Sequence, residues 1–508
     1  MTQQTQANYQ ALFSLSKKIR LLDSISHLLG WDQETYMPTK GNLVRADQLE
    51  LMASLSHQER TSKKFQQALA KLIDIQTGKT QASGLSLEQK AALREWRRDF
   101  LKANALPNSF VKAFARLCSE SMVVWAEARK QSKFADFAPY LQKVIDMSRQ
   151  KADLLGYQHH PYDALLDDFE PGATTAKIDV LFKKLKKQIK ELLDKIVASK
   201  RVDDSCLHGK FSPEKQLSFG RELLKAMGYE LDKGRLDLSN HPFSMSLHPS
   251  DSRVTTRIHR TSIFDSLSAV LHEGGHSLYE MGLLSDYYGS PLGEPISLGI
   301  HESQSRLWET RIGQSKPFWK HFLPLLKKEF KQLEKVTLEQ FYRAINRVSP
   351  TFIRVESDEV TYSLHIILRF ELEKSLIEGS LKVSEVPEAW NHLMETYLGI
   401  TPSSDQEGCL QDIHWSMGCF GYFPTYTLGN LYAAHFFQAF DKEFPDWENK
   451  VSKGELLFLR EWLREKIHKH GRLFGAQELV KQVSGQQLSD GPYLSYLTKK
   501  YQEIYKFT

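Results

Sequence analysis

Residues 262–282, SIFDSLSAVLHEGGHSLYEMG, decide the expected fold at the centre of this chain. Apolar side chains recur there at helical spacing: Ile263, Leu267, Val270, Leu271 and Leu278. This period predicts one helix with a buried face. Ser262-Ile263-Phe264-Asp265 resembles the capping box that opens many helices, with Asp in place of the usual Glu. We therefore expect the helix to begin at Ser262 and to end near Gly282.

Two histidines on the predicted helix, His272 and His276, are four residues apart. They project from the same face, one turn apart, and this spacing lets two imidazoles bind one zinc ion. Glu273 lies beside the first histidine, where its carboxylate can take a proton from a water molecule as general base. The alternative is a pair of buried histidines that bind no metal.

Two adjacent glycines, Gly274 and Gly275, lie between the histidines. Each glycine in a helix interior costs about 1 kcal/mol relative to alanine. We expect a compensating contact, which is the close approach of either a neighbouring helix or a substrate.

A third zinc ligand has to come from elsewhere in the chain, because a catalytic zinc usually has three protein ligands and one open position. No histidine follows in the metzincin spacing HExxHxxGxxH, since Tyr279 and Gly282 stand at the last two positions of that pattern. A glutamate on the next helix is the alternative. Glu302 is the best candidate, and Glu294 and Glu309 are weaker ones.

A short region before the metal motif breaks the helical period. Phe243, Met245 and Leu247 alternate with polar residues, residues 248–251 resemble a turn, and the alternation resumes over residues 253–258. The pattern predicts a hairpin. An exposed strand edge there could pair with an extended peptide.

The rest of the chain has mainly helical periodicity. The first predicted helix has one apolar face, formed by Leu12, Leu15, Ile19, Leu22, Ile25 and Leu29. The chain contains no internal repeat, no low-complexity linker and no abrupt change of composition. We expect a single helical domain over residues 1–508.

Composition and charge argue against a nucleic-acid partner. The net charge is +5 over 508 residues, whereas nucleic-acid binding needs a concentrated basic face. Only residues 181–201 are rich in lysine, and their apolar residues recur at helical spacing. This segment predicts an amphipathic helix with a solvated basic face.

Cysteine usage and hydropathy favour the cytoplasm and no membrane contact. The four cysteines, Cys118, Cys206, Cys409 and Cys419, form no CxxC pair and are typical of reduced structural thiols. The first residues, MTQQTQANYQ, lack the apolar stretch of a signal peptide. No apolar run approaches the length of about 18 residues that a membrane span needs.

Six short motifs stand in a fixed order along the chain: HPF at 241–243, DSRVT at 251–255, HEGGH at 272–276, HESQ at 301–304, IRVESD at 353–358 and GCLQDIHW at 408–415. The chain resembles the carboxypeptidase Taq family of metallocarboxypeptidases in these motifs and in their order. Three further stretches are similar to that family: WDQETYMP at 31–38, PYDALLDDFEPG at 161–172 and GYFPTYTLGN at 421–430. One departure is Ser357, where the family has alanine.

The resemblance implies a fold and an activity. The expected fold is mainly α, an elongated helical gluzincin-type metallopeptidase with a deep active-site groove and a small β-sheet beside the zinc helix. Glu302 becomes the third zinc ligand. The family implies one zinc ion per subunit, with cobalt as a possible substitute, and a homodimer. Its activity is the release of single residues from the C-termini of peptides, with broad preference and with C-terminal proline disfavoured.

An exopeptidase has to bind the free carboxylate of its substrate, and a planar guanidinium suits that task by bidentate hydrogen bonding. Arg354 is the first choice and Arg253 the second, because both lie in family motifs. The alternative is that either arginine only pairs with a nearby acid, such as Asp251 or Asp358.

The tetrahedral oxyanion of peptide hydrolysis needs a donor besides the metal. His414, Tyr422 and Tyr426 are candidates, and the sequence does not choose among them. His241 is expected either to line the groove or to cap the hairpin through backbone contacts.

Two rival functions remain at this point. An endopeptidase or a dipeptidyl carboxypeptidase of the same fold would use the same zinc chemistry. A helical binding protein with a relic zinc site is the other rival, and the retained Glu273 argues against it, because a structural site needs no general base.

Overall fold

The computed structural model describes residues 2–507, which are mainly helical. The first nine helices, α1 to α9, are Gln3–Thr35, Asn42–Arg60, Lys63–Ala70, Leu87–Ala105, Asn108–Gln131, Phe134–Leu155, Pro161–Leu166, Thr175–Val197 and Pro213–Met227. Three strands follow, β1 to β3, at Leu236–Leu238, Ser244–His248 and Asp251–Thr256. The remaining helices, α10 to α20, are Phe264–Gly282, Leu298–Arg306, Lys316–Glu329, Leu338–Ile345, Tyr362–Glu378, Val386–Leu398, Pro424–Glu443, Trp447–Val451, Leu457–Lys466, Ala476–Ser484 and Gly491–Tyr505. The predicted mainly α fold with a small sheet is confirmed.

The sheet has the strand order β1-β3-β2. β2 and β3 pair antiparallel, which confirms the predicted hairpin, and Met245 pairs with Arg253. β1 pairs parallel with β3 and was not predicted, because three residues are too few to show an alternating period. The sheet packs on α10, where Ser252 Oγ donates to Ser277 Oγ at 3.0 Å. β2 is therefore an edge strand beside the helix that carries the histidines.

The helix α10 was predicted closely, but its N-terminal cap was not. It begins at Phe264 with Ile263 at the N-cap position and no capping hydrogen bond from a side chain. The predicted capping box at Ser262 is therefore wrong. The apolar stripe is buried as expected, and Leu267 and Leu271 are fully inaccessible.

Two hydrophobic clusters stabilise the described residues. The larger one extends from α5 to α20 and includes the buried face of α10. The smaller one joins α1, α3 and α4 around Leu12, Leu69 and Trp96. The predicted apolar face of α1 is only partly correct, since Ile19 is buried but Ile25 is 46% exposed. The prediction of a single domain stays a prediction.

The first helix also reaches the sheet. The guanidinium of Arg253 lies over the ring of Trp31, 4.5 Å from its centre. The hydroxyl of Tyr36 donates to Asp237 Oδ1 at 2.5 Å. α1 therefore joins the smaller cluster to the sheet beside α10.

The lysine-rich segment lies on α8 and has the predicted amphipathic character. Its apolar residues Leu185, Ile189, Leu192 and Ile196 are buried in the larger cluster. Lys183 is exposed and pairs with Asp179. Among the described residues, no helix is long and apolar enough to cross a membrane.

The glycines of α10 permit close contacts with two other helices. A Cβ on Gly275 would lie 2.7 Å from both Gln304 O and Ser305 Cα, which belong to the backbone of α11. A Cβ on Gly274 would lie 2.7 Å from Leu224 Cδ2 of α9. The compensating contact predicted for these glycines is therefore made by neighbouring helices.

Substitution of Gly275 by alanine tests the contact between α10 and α11. The new methyl group would meet backbone atoms that cannot rotate away, so we expect Gly275→Ala to lower the free energy of unfolding by about 1–3 kcal/mol. Unfolding of the metal-free protein in denaturant measures the change. Gly30→Ala is the matched control, since Gly30 also lies inside a helix and its new Cβ would meet only Met245 Cε, at 3.8 Å. Equal stability of the two variants would contradict the close approach of the helices.

Candidate metal centre

Three side chains converge where α10 crosses α11. His272 and His276 come from α10 and Glu302 from α11, and one ligand atom of each lies within 4.8 Å of the others. His272 Nε2 lies 3.7 Å and His276 Nε2 3.4 Å from Glu302 Oε2. Two imidazole nitrogens and one carboxylate oxygen form a donor set that suits a divalent metal ion.

Hydrogen bonds at the opposite ring nitrogens orient both histidines. His272 Nδ1 lies 2.8 Å from Glu309 Oε2, so it donates to that carboxylate. His276 Nδ1 lies 2.5 Å from His301 Nδ1, and His301 Nε2 lies 3.0 Å from Glu280 Oε1. Because the Glu280 carboxylate accepts from His301 Nε2, His301 Nδ1 is able to accept a hydrogen bond from His276 Nδ1–H. Both Nε2 atoms thus point into the shared site, where neutral imidazoles would offer their lone pairs to a metal ion.

Glu309 is held by two further donors. Ser268 Oγ donates to Glu309 Oε1 at 3.1 Å and Arg306 Nη1 to Glu309 Oε2 at 2.7 Å. Burial alone would raise the pKa of Glu309, but Arg306 and His272 lower it to about 2. Glu309, a weaker ligand candidate, therefore lies behind His272 as its charged hydrogen-bond partner. Glu294, the other weaker candidate, accepts from Arg472 instead.

The electrostatics of the three converging side chains suit a bound cation. Burial alone lowers the pKa of His272, but Glu302 and Glu309 raise it to about 9. Burial lowers the pKa of His276 to about 4, although Glu302 favours its charged form. Metal binding requires neutral imidazoles. A divalent ion would displace the proton that the carboxylates now favour on His272 and would supply positive charge in its place.

Glu273 lies next to His272 on α10 and is 8% exposed. Ser244 of the edge strand β2 lies near its carboxylate. Burial raises the pKa of Glu273 to about 7, while the charge of His272 and the nearby Ser244 lower it. A nearby cation would likewise favour the ionised form, which is the form that can accept a proton.

Glu302 is supported by residues that the sequence reasoning did not identify. A Cβ on Gly429 of α16 would lie 2.4 Å from Glu302 Cγ, so only glycine leaves room for this side chain. The buried Glu170 accepts the backbone N–H of Gly299 at 3.0 Å and the hydroxyl of Tyr432 at 2.8 Å. Glu170 thereby binds the N-terminus of α11, one turn before Glu302. Glu170 and Gly429 lie in the stretches 161–172 and 421–430 that resemble the family, and this resemblance was the only feature of the sequence that pointed to them.

The two candidate arginines have different partners. Arg354 is 6% exposed and donates from Nε and Nη2 to Asp412 Oδ1 at 3.0 and 2.8 Å. Asp358 is not its partner, because that carboxylate accepts backbone N–H groups of its own loop. Arg253 forms a bidentate pair with Asp251 at 2.8 and 2.9 Å. This pair is the purely structural alternative considered for Arg253.

The candidate oxyanion donors are gathered beside Arg354. His414 Nε2 lies 3.2 Å from the hydroxyl of Tyr426, and the ring centres of Tyr422 and Tyr426 are 5.3 Å apart. The guanidinium of Arg354 lies over the Tyr426 ring, 5.0 Å from its centre. Burial raises the pKa of Tyr422 to about 12, and the charge of Glu302 adds to this effect. Tyr422 is therefore protonated at neutral pH and within electrostatic reach of Glu302.

His241 lies apart from this cluster in the loop between β1 and β2. Its ring is exposed, and its backbone carbonyl accepts from Ser239 Oγ at 2.5 Å. This contact corresponds to the backbone capping role that was one of its two predicted roles.

Comparison with known proteins identifies the family. The model of the carboxypeptidase Taq (M32) metallopeptidase family matches residues 11–501. Thermostable carboxypeptidase 1 of Thermus thermophilus is 41% identical over 511 residues, which cover 98% of this chain and 99% of the relative. Carboxypeptidase 1 of Bacillus subtilis is 37% identical over 495 residues, or 97% of this chain and 98% of the relative.

Solved structures are similar over the same length. The crystal structure of an M32 carboxypeptidase from Deinococcus radiodurans has a TM-score of 0.95 and 37% identity, and the match covers 98% of this chain and 100% of that chain. The structure of a Pyrococcus furiosus carboxypeptidase has a TM-score of 0.93 and 35% identity, with 99% of both chains covered. These matches confirm the resemblance that the motifs indicated, and the chain belongs to the carboxypeptidase Taq (M32) family of metallocarboxypeptidases.

Proposed function

We propose that this chain is a zinc-dependent carboxypeptidase that removes single residues from peptide C-termini. In this proposal His272, His276 and Glu302 bind one zinc ion per subunit, and cobalt can replace it. Glu273 is the general base, and Arg354 binds the terminal carboxylate of the peptide.

One observation supports a carboxypeptidase over the alternatives: the buried Arg354 is connected to His272 through a short chain of side-chain contacts. Arg354 Nη1 donates to the hydroxyl of Tyr362 at 3.3 Å. The ring of Tyr362 lies under the guanidinium of Arg306, 5.0 Å from its centre. Arg306 pairs with Glu309, which holds His272. A buried guanidinium at this place suits the carboxylate of a substrate whose last peptide bond lies at the metal.

The chemistry assigned to the chain follows from these positions. When bound, the metal supplies Lewis-acid activation of the scissile carbonyl and of a water molecule. Glu273 takes the proton of the attacking water and passes it to the leaving amine. Ser244 of the edge strand β2 favours the ionised form of Glu273, which is the form that accepts this proton. Tyr422, Tyr426 and His414 are the candidate donors to the oxyanion, since each hydroxyl and the neutral imidazole keep a proton at neutral pH.

The edge strand β2 supports the proposed binding of an extended peptide. An edge strand offers unpaired backbone groups, and pairing through the backbone does not depend on side-chain identity. This supports broad specificity. A C-terminal proline has no N–H at the scissile amide and has a fixed φ, which supports its being disfavoured.

The remaining parts of the proposal come from the family resemblance and from composition. We propose a homodimer with the expected deep groove in each subunit. The four cysteines are free thiols, which suits the reducing environment of the cytoplasm.

Product analysis tests the proposed activity. We expect the zinc-loaded protein to release one residue at a time from an N-acylated peptide, and a chelator to stop the release. The same peptide with a C-terminal amide is the control, and it should remain intact because it lacks the carboxylate that Arg354 would bind. Mass spectrometry follows both peptides. Internal cuts would indicate an endopeptidase, release of residue pairs a dipeptidyl carboxypeptidase, and no cleavage with bound zinc a binding protein.

The variant Glu273→Gln tests the general base. The amide has nearly the same shape but cannot accept the proton, so we expect turnover to fall by about 10²- to 10⁴-fold. Zinc content measured by atomic absorption should stay unchanged, because Glu273 is not among the proposed ligands. Turnover equal to that of the unsubstituted protein would refute the assigned role.

The variant Glu309→Ala tests the support of His272. Loss of the carboxylate leaves His272 Nδ1 without its charged acceptor, and we expect zinc affinity to fall by about 10- to 100-fold. Competition with a chromophoric chelator measures the affinity. Glu334→Ala, which changes an exposed glutamate, is the matched control. If both variants bind zinc equally well, Glu309 does not support the site.

A further inference from the structure

A second arginine, Arg369, lies behind Arg354 and is fully buried. It comes from α14 and its guanidinium lies over the Trp390 ring, 4.6 Å from its centre. Its Nε donates to Asp412 Oδ2 at 2.7 Å, its Nη2 to Gln411 Oε1 at 2.7 Å, and its Nη1 to the His365 carbonyl at 2.7 Å. The guanidinium therefore has an acceptor at each of its nitrogens.

Two of the acceptors of Arg369 are also the groups that hold Arg354. Asp412 accepts Arg354 through Oδ1 and Arg369 through Oδ2. Gln411 Oε1 accepts the backbone N–H of Arg354 at 2.9 Å and the Nη2 of Arg369. Arg369 thus holds in place both Asp412, which binds the Arg354 side chain, and Gln411, which binds the Arg354 backbone N–H.

The charges of this arrangement are not balanced. Two guanidiniums, Arg354 and Arg369, share one carboxylate, Asp412. Burial lowers the pKa of the adjacent His414 to about 3, so it is neutral. Burial also lowers the pKa of His365 well below its ordinary value. The three side chains Arg354, Arg369 and Asp412 together therefore carry one net positive charge, and burying such a charge is costly unless an anion compensates it. The buried Glu373 on α14 lies near Arg369, but it accepts its hydrogen bonds from Tyr162, Trp415 and Gly421.

We propose that Arg369 is the positioning residue of the carboxylate-binding site: it shares Asp412 with Arg354, so that Arg354 retains net positive charge toward the terminal carboxylate of a peptide. The inference rests on the proposed role of Arg354. Arg369 itself touches no substrate. It acts by holding Asp412 and Gln411 and by sharing the negative charge of Asp412 with Arg354.

The experiment compares two inhibitors on the zinc-loaded protein. An N-acyl amino acid carries the carboxylate of a product, whereas acetohydroxamate is directed to the metal and has no carboxylate. We expect Arg369→Met to raise the inhibition constant of the N-acyl amino acid by at least about 30-fold and to leave that of acetohydroxamate unchanged. KM for a peptide should rise in parallel while kcat stays within about threefold. Arg369→Lys keeps the charge, and its loss of affinity should be clearly smaller.

A double variant separates charge from packing. Arg369→Met combined with Asp412→Asn again leaves one positive charge in the cluster, so we expect it to bind the N-acyl amino acid more tightly than Arg369→Met alone. Equal weakening of both inhibitors, equal behaviour of the Lys and Met variants, or no recovery in the double variant would each overturn the inference.

The parallel variant Arg354→Met shows which proposal fails. If it leaves the inhibition constant of the N-acyl amino acid unchanged, Arg354 does not bind the carboxylate, and the substrate-binding role assigned to it under the proposed function is wrong. If Arg354→Met weakens that inhibitor and Arg369→Met does not, only the role of Arg369 is wrong.

Discussion

The backbone contact between α10 and α11 at Gly275 is the constraint on which the metal centre depends. His272 and His276 are brought together by one helix alone. Glu302 reaches them only because the two helix backbones approach more closely than a methyl group would allow. Gly275 therefore lowers the helix propensity of α10 but permits the contact between helices that brings the Glu302 carboxylate to the two histidines.

Around that contact, several important side chains are held by a buried partner of fixed geometry. His272 has Glu309, His276 has His301, and Arg354 has Asp412. These partners are largely shielded from water, so their hydrogen bonds restrict rotation more than exposed ones would. Each of the three side chains is therefore held in one orientation by its partner.

The sequence was most informative where the structure is local. The period of α10, the hairpin and the spacing of His272 and His276 depend on neighbouring residues, and they were predicted correctly. The capping box at Ser262 was wrong, because the chain turns into the helix through Ile263 without a side-chain cap. β1 was missed because it is short and its partner strand follows only after the hairpin turn.

Long-range contacts could not be obtained from one sequence. Asp251 and Asp358 were the acids considered as partners of either arginine, yet Arg354 pairs with Asp412, which lies far along the chain. Glu170, in the loop between α7 and α8, binds the N-terminus of α11, and Gly429 of α16 leaves room for Glu302, yet both are distant from α11 in sequence. Each contact depends on the packing of whole helices, and periodicity indicates which face of a helix is buried but not which helix covers it.

Because the interior is divided into two hydrophobic clusters, the smaller cluster is able to open locally without unfolding of the larger one. α1 contacts the sheet beside Glu273, yet its own apolar residues belong to the smaller cluster around Leu12 and Trp96. The ligand-bearing helices belong to the larger cluster. Opening of the smaller cluster thus exposes less apolar surface than global unfolding does, and it leaves the crossing of α10 and α11 intact. Separation of α1 from the sheet beside Glu273 would therefore leave the candidate ligands His272, His276 and Glu302 assembled.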